Sequence, residues 1–156
     1  MKILVLHGPN LNLFGRRETQ IYGTTSFAEI NQAIEELAVE LGAEVEIFQS
    51  NHEGALVDKL HQRIDEVQGC VLNPGGLTQH GVSLHDAIKA MPFPVIEVHL
   101  SNLHQREPWR AHSIITPAAR GAILGLGWRG YLYALRAIID LASAGAAAPL
   151  DDRGAR

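Results

Sequence analysis

Short apolar runs alternate along this chain with longer segments in which apolar residues recur every three or four positions. The short runs fall at residues 3–6, 45–48, 70–72, 95–98 and 122–126, each of strand length. Between the first two, Phe27, Ile30, Ile34, Leu37 and Leu41 mark one face of a helix. Ser26 stands before it with Glu29 three residues on, the spacing of a capping box, and Gly42 suits the C-terminal cap. Ser50 and Glu53 repeat that spacing ahead of a second stripe, Leu56, Leu60, Ile64 and Val67. A shorter helix is predicted over 82–90. A final one spans 130–142, carrying Leu132, Leu135, Ile138, Ile139 and Leu141. Strands alternating with helices predict βαβ units, hence an α/β chain with a parallel sheet between two helical layers. Five strands joined by right-handed crossovers suit a three-layer, flavodoxin-like sheet.

The 156 residues fit a single domain, expected over 1–143, and 46% hydrophobic with 19% charged residues is a globular balance. Residues 144–156 are small, polar and proline-containing, and are expected to be a disordered tail. A formal charge of −4 argues against a general attraction to nucleic acid or anionic membranes, so any anion site must be local. The single cysteine, Cys70, sits in an apolar run and reads as a small core residue. Residues 1–7 are too short for a signal-peptide core, and no run approaches the roughly 18 apolar residues of a membrane span. A cytoplasmic protein is the expectation.

Open parallel sheets bind ligands beyond the carboxyl ends of their strands. The loops at that end of this chain hold nearly all of its chemically capable side chains. After the first strand come Asn10, Asn12, Arg16, Arg17 and Tyr22; after the third, Asn73, Thr78, Gln79 and His80. After the fourth come His99, Ser101, Asn102, His104, Arg106 and Arg110. The opposite loops, around 42–44, 68–69 and 91–94, carry little beyond turn chemistry. Four arginines gathered on one rim of an acidic protein favour an anion site over solvated loop charge.

Strand alternation puts Glu97 on the same face as His99, where an acidic group can orient an imidazole for acid catalysis. A structural histidine is the competing reading. Gly125, Gly127 and Gly130 match a GxGxxG pattern, but no later strand can supply the acidic ribose partner, so a tight strand-to-helix turn is expected there. The remaining histidines show no metal-ligand spacing. No GxSxG elbow occurs, and the only lysines are Lys2, Lys59 and Lys89. Proton chemistry with Tyr, His and Arg remains, set against a flavodoxin-like binding module for a small anion or nucleotide.

Several segments taken together resemble the type II 3-dehydroquinate dehydratases. They are Gly8-Pro9-Asn10-Leu11-Asn12, Gly15-Arg16-Arg17-Glu18 with Tyr22-Gly23, Leu72-Asn73-Pro74-Gly75-Gly76, and the stretch from Ile96 through Glu97 and His99 to Asn102. Arg106-Glu107 with Arg110, and Gly125-Leu126-Gly127 with Gly130-Tyr131, complete the set, in order from residue 1 to about 142. The resemblance implies a flavodoxin-like fold, no cofactor or metal, and dehydration of 3-dehydroquinate to 3-dehydroshikimate in the shikimate pathway. By position, Tyr22 would be the base that removes the C2 proton, supported by Arg17 and Arg106. Asn10 would hold a water at the enolate oxygen, and His99, positioned by Glu97, would protonate the departing hydroxyl. Asn73 and the backbone of Leu100 and Ser101 would grip the carboxylate, and Arg110 the ring hydroxyls. Asp86 would reach in from a neighbouring subunit, since the family assembles as dodecamers of trimers.

A phenol ionises near pH 10, and bringing it to neutrality takes roughly 4 kcal/mol, more than one screened surface arginine supplies. Two arginines in a closed pocket can supply it, which predicts a lid over 12–25 with Gly15 and Gly23 as hinges. One departure stands out. After the glycine pair the family reads Thr or Ser and then His, where this chain has Thr78-Gln79-His80-Gly81. Counting back from Asp86, either Gln79 takes the place of the substrate-contacting histidine, or a local bulge brings His80 inward, and Gln79 is the favoured reading. In that place Gln79 would face the substrate and hydrogen-bond it without carrying charge.

Overall fold

The computed structural model describes residues 1–16 and 18–145. Arg17, and the expected disordered tail from residue 146 onward, lie outside the described residues.

All five apolar runs form strands: β1 (Lys2–His7), β2 (Glu44–Gln49), β3 (Gly69–Asn73), β4 (Val95–His99) and β5 (Gly121–Leu124). They pair in parallel in the order β2-β1-β3-β4-β5. The helices are α1 (Thr19–Tyr22), α2 (Phe27–Glu40), α3 (Glu53–Gln62), α4 (Val82–Ala90) and α5 (Gly130–Ser143). Alternation along β1 divides the core. Ile3 and Val5 join Ile30 and Ile34 of α2 and Leu135 and Ile138 of α5 on one side. Leu4 and Leu6 join Leu56 and Leu60 of α3 and Leu84 and Ile88 of α4 on the other. Each of these side chains is at most 3% exposed, and burying one contributes about 1.5–3 kcal/mol. Cys70 is buried in the second core, and desolvation pushes its thiol well above the usual range, which suits an inert core residue.

The predicted α2 capping box forms: Ser26 Oγ accepts from the Glu29 amide, and Glu29 Oε2 accepts from the Ser26 amide at 2.7 Å. The second expected box does not. β2 ends at Gln49 and His52 occupies the cap, so Glu53 is the first residue of α3 instead of its third. Glu53 instead accepts from the Leu84 amide at 2.9 Å, capping α4 from a neighbouring helix, while Ser50 Oγ accepts from the His52 amide. The predicted stripe also overran. α3 stops at Gln62, leaving Ile64 and Val67 in the turn that follows, where Val67 is still buried.

β5 ends two residues earlier than expected. A Cβ on Gly125 would stand 2.9 Å from Asn102 Cβ, and its φ of +79° turns the chain there. The amides of Gly125 and Gly127 donate to the carbonyls of His99 and Leu100, so the glycine cluster is a tight turn into α5. Within the sheet, strand order reverses between β1 and β3, where a crevice opens at their carboxyl ends.

Candidate active site

The ends of β1, β3 and β4 open on a cavity of about 280 Å³. Two loops form its floor. Gly8 packs so closely on the β3 loop that a Cβ there would lie 2.4 Å from the Pro74 carbonyl oxygen, and its amide donates to the Asn73 carbonyl at 2.8 Å. Asn10 follows in the left-handed region (φ +66°), its amide donating to Asn51 Oδ1 at 2.9 Å. Leu11 and Phe14 are buried beneath, and α1 then carries Tyr22 to the rim.

Tyr22 is half-buried, its ring 5.9 Å from that of Phe14. Arg106, from the loop after β4, donates from Nη1 to the Tyr22 hydroxyl oxygen at 2.7 Å. A guanidinium N–H at a phenol oxygen stabilises the charge that deprotonation places there. Glu107 ties the two loop arginines, meeting Arg110 Nε at 2.9 Å and Arg106 Nε at 3.5 Å. Its carboxyl lies below the usual range, first through its own backbone amide and then through Arg110 and Arg106.

His99 faces the same cavity from the end of β4. Its Nε2 meets Glu97 Oε1 at 2.7 Å, and the Thr78 hydroxyl lies 3.5 Å from the same nitrogen. Glu97 is completely buried, yet its carboxylate is fully employed. Ser113 Oγ donates to Oε1 at 3.2 Å, and Thr116 Oγ1 donates to Oε2. Three donors on one carboxylate satisfy what would otherwise be a costly buried charge. With Nε2–H committed to Glu97, Nδ1 is the ring nitrogen left for chemistry.

Asn73, Leu100, Ser101 and Arg110 also line the cavity. Asn73 is 2% exposed, its Oδ1 accepting from the Gly75 amide at 3.1 Å. Both Gln79 and His80 border the space. The Gln79 amide nitrogen donates to the carbonyls of Arg110 (3.2 Å) and His112 (3.3 Å), so Gln79 braces the loop that carries the arginines. Its Oε1 is buried without a partner among the described residues, while His80 is exposed.

Some of the expected rim stands apart. Asn12, Arg16, Asn102 and His104 are not among the lining residues, and Thr78 is buried beneath it. Asp86 is exposed on α4, also outside the lining. The glycine turn at 125–130 is likewise outside it. Ser113 and Thr116 were not singled out from the sequence, because nothing local marks a hydroxyl that bonds 16 or 19 residues back. Leu103 and Trp109, apolar walls of the cavity, were missed as well, although both flank the Arg106–Arg110 cluster. Among the described residues no group of His, Cys, Asp or Glu is arranged to hold a metal, and no helix is long and apolar enough to cross a membrane.

The model for class II dehydroquinase matches residues 1–139. The chain is 53% identical over 144 residues to a 3-dehydroquinate dehydratase of Herpetosiphon aurantiacus, covering 92% of this chain and 100% of that one. It is 54% identical over 142 residues to one of Pelotomaculum thermopropionicum, covering 91% and 99%. A solved type II dehydroquinase from Butyrivibrio crossotus superposes with a TM-score of 0.86 at 40% identity, covering 92% of this chain and 97% of that one. With the match spanning every strand and the segments that carry Tyr22 and His99, the chain belongs to the class II dehydroquinase family.

Proposed function

We propose that this chain removes water from 3-dehydroquinate to give 3-dehydroshikimate, with Tyr22 as base and His99 as acid. The carrying observation is that Tyr22, under the N–H of Arg106, and His99, seated on Glu97, line one cavity. Tyr22 as phenolate takes the C2 proton, and the electron pair of the C2–H bond moves into an enolate at the C3 carbonyl. The enolate then re-forms the carbonyl as the C1–O bond breaks. His99 delivers its Nδ1 proton to the departing hydroxyl, which leaves as water with a C1–C2 double bond behind it. Arg106 and Arg17 stabilise the phenolate and the enolate through charge. Asn10 holds a water at the enolate oxygen.

The substrate carboxylate is held by Asn73 with the backbone amides of Leu100 and Ser101, and Arg110 contacts the ring hydroxyls. Gln79 supports these contacts through the loop it braces. The segment 12–25 closes over the bound substrate and excludes water. Asp86, exposed on α4, completes the cavity of a neighbouring copy in a dodecamer built from trimers. The site calls for no cofactor, and the reaction belongs to a cytoplasmic shikimate pathway. Incubating the purified protein with 3-dehydroquinate should produce the absorbance of the conjugated enone; no absorbance at any enzyme concentration would sink the proposal.

A further inference from the structure

Behind the cavity wall lies a buried polar cluster that the reaction scheme leaves unused. His7, at the end of β1, is 0% exposed and Tyr131, on α5, is 1% exposed. The His7 Nδ1 and the Tyr131 hydroxyl are 2.8 Å apart, joining positions 124 residues distant in the chain. His7 and Asn73 are directly opposed register partners on β1 and β3, so their side chains leave the sheet on the same face. Tyr131, bonded to His7, therefore stands beside Asn73, whose side chain favours the ionised phenol against the burial that pushes the hydroxyl up. Asn73 is also the one member of this cluster that reaches the cavity.

The direction of the hydrogen bonds can be worked out. Asn73 Oδ1 accepts from the Gly75 amide, so its nitrogen is the end left to donate toward Tyr131, in keeping with its lowering effect on that hydroxyl. The Tyr131 O–H is then free to donate to His7 Nδ1. That requires a neutral imidazole with its proton on Nε2, and burial lowers His7 to about 4, so it is neutral at ordinary pH. His7 Nε2 and Asn31 Oδ1 are two buried polar atoms without a hydrogen-bond partner of good geometry, one a donor and the other an acceptor. The Asn31 side chain is the group that opposes the burial effect on His7, so these two face each other. The run Asn73, Tyr131, His7, Asn31 is polarised in one sense only.

We propose that Tyr131, with His7 behind it, is a positioning residue for Asn73: the pair holds the Asn73 amide in the one orientation that leaves an N–H for the substrate carboxylate. Without that contact only the Gly75 amide, at 3.1 Å, opposes a turn of the Asn73 amide that would present its oxygen, which repels a carboxylate. The inference rests on the reading that Asn73 binds substrate, and it assigns Tyr131 and His7 a part in affinity, with none in proton transfer.

A double-mutant cycle on steady-state kinetics with 3-dehydroquinate tests it. Tyr131→Phe should raise KM about fivefold with kcat nearly unchanged, the scale of one neutral hydrogen bond. Asn73→Ala should raise KM at least as much, and the double variant no further than Asn73→Ala alone. Multiplicative effects in the double variant, or an unchanged KM in Tyr131→Phe, would overturn the proposal. An unchanged KM in Asn73→Ala alone would instead remove the substrate-binding reading of Asn73, and this inference with it. His7 supplies an independent arm if Tyr131→Phe folds poorly. His7→Asn, whose side-chain oxygen can accept where Nδ1 does, should keep KM near the parent value, whereas His7→Leu should raise it. Equal KM values for these two variants would also overturn the proposal.

Discussion

The two ends of the cavity are built differently. His99 is 5% exposed at the end of an interior strand, and its carboxylate partner is completely buried and held by two further hydroxyls. Tyr22 is half-buried on a four-residue helix, and Arg106 reaches its oxygen from a loop 84 residues away. The His99 end is thus set by the sheet and its core, and the Tyr22 end by two surface segments meeting. The difference suits the chemistry proposed for each. An acid that must keep one ring nitrogen oriented gains from a rigid, fully satisfied network. A base that must admit substrate before it is shielded from water gains from a site completed by loops.

Removing each group separates the two ends most sharply. Tyr22→Phe and His99→Ala should each lower turnover by about a thousandfold, within the range of general acid–base catalysis. Their stabilities should diverge. Tyr22→Phe should melt with the parent chain, while His99→Ala should lose about 1–3 kcal/mol because Glu97 is left buried with one donor fewer. Equal melting temperatures for the two variants would remove the distinction between a sheet-held and a loop-held end.

Acid unfolding probes the sheet-held side through His7. Its proton is bound more weakly in the folded chain, at about 4 against 6.5 in the unfolded one, so the unfolded state takes up a proton first. Stability present above pH 6.5 is therefore lost as pH falls toward 4, by about 3 kcal/mol at roughly 1.4 kcal/mol per unit. Denaturant titrations at pH 7 and pH 4 should show that loss in the parent and a smaller one in His7→Asn. Equal slopes would contradict the assignment. Glu46 acts in a lower window: hydrogen bonds from Arg63 and Lys2 lower it to about 2 from 4.5, so its contribution is lost as pH falls between those values.

The loop-held end is tested by Arg106→Lys. It should cost about ten- to a hundredfold in turnover with no change in melting temperature, since an ammonium lacks the planar fork that meets the phenol oxygen. The smallest effect is expected for Ser113→Ala with Thr116→Val. Together they should reduce turnover a few-fold and destabilise by about 1–2 kcal/mol, by removing two of the three donors to Glu97. A large loss of turnover with unchanged stability would instead place one of these hydroxyls in contact with substrate.

Much of this arrangement was legible in the residue pattern. Five apolar runs and the Ser26–Glu29 box were enough to place the strands and the first long helix, because burial and capping depend on neighbours a few residues apart. The clustering of polar side chains after the first, third and fourth strands located the cavity. The Glu97–His99 pair followed from strand alternation. Less legible were the partners that arrive from elsewhere. Ser50 and Glu53 have the spacing of a capping box, yet where β2 ends decides that Glu53 caps a different helix. Gln79 borders the cavity, but nothing local showed that its amide nitrogen is spent on two carbonyls about thirty residues on.

The sequence by itself determined the α/β layering, the end of the sheet that carries chemistry, and the residue types available there. Periodicity and composition are local, and they report burial before the chain folds. Only the tertiary structure decided that Arg106 meets Tyr22, that Ser113 and Thr116 secure Glu97, and that His7 and Tyr131 stand behind Asn73. These are hydrogen bonds between side chains 16 to 124 residues apart, where direction and distance carry the energy. No local pattern encodes either until the strands have found their register.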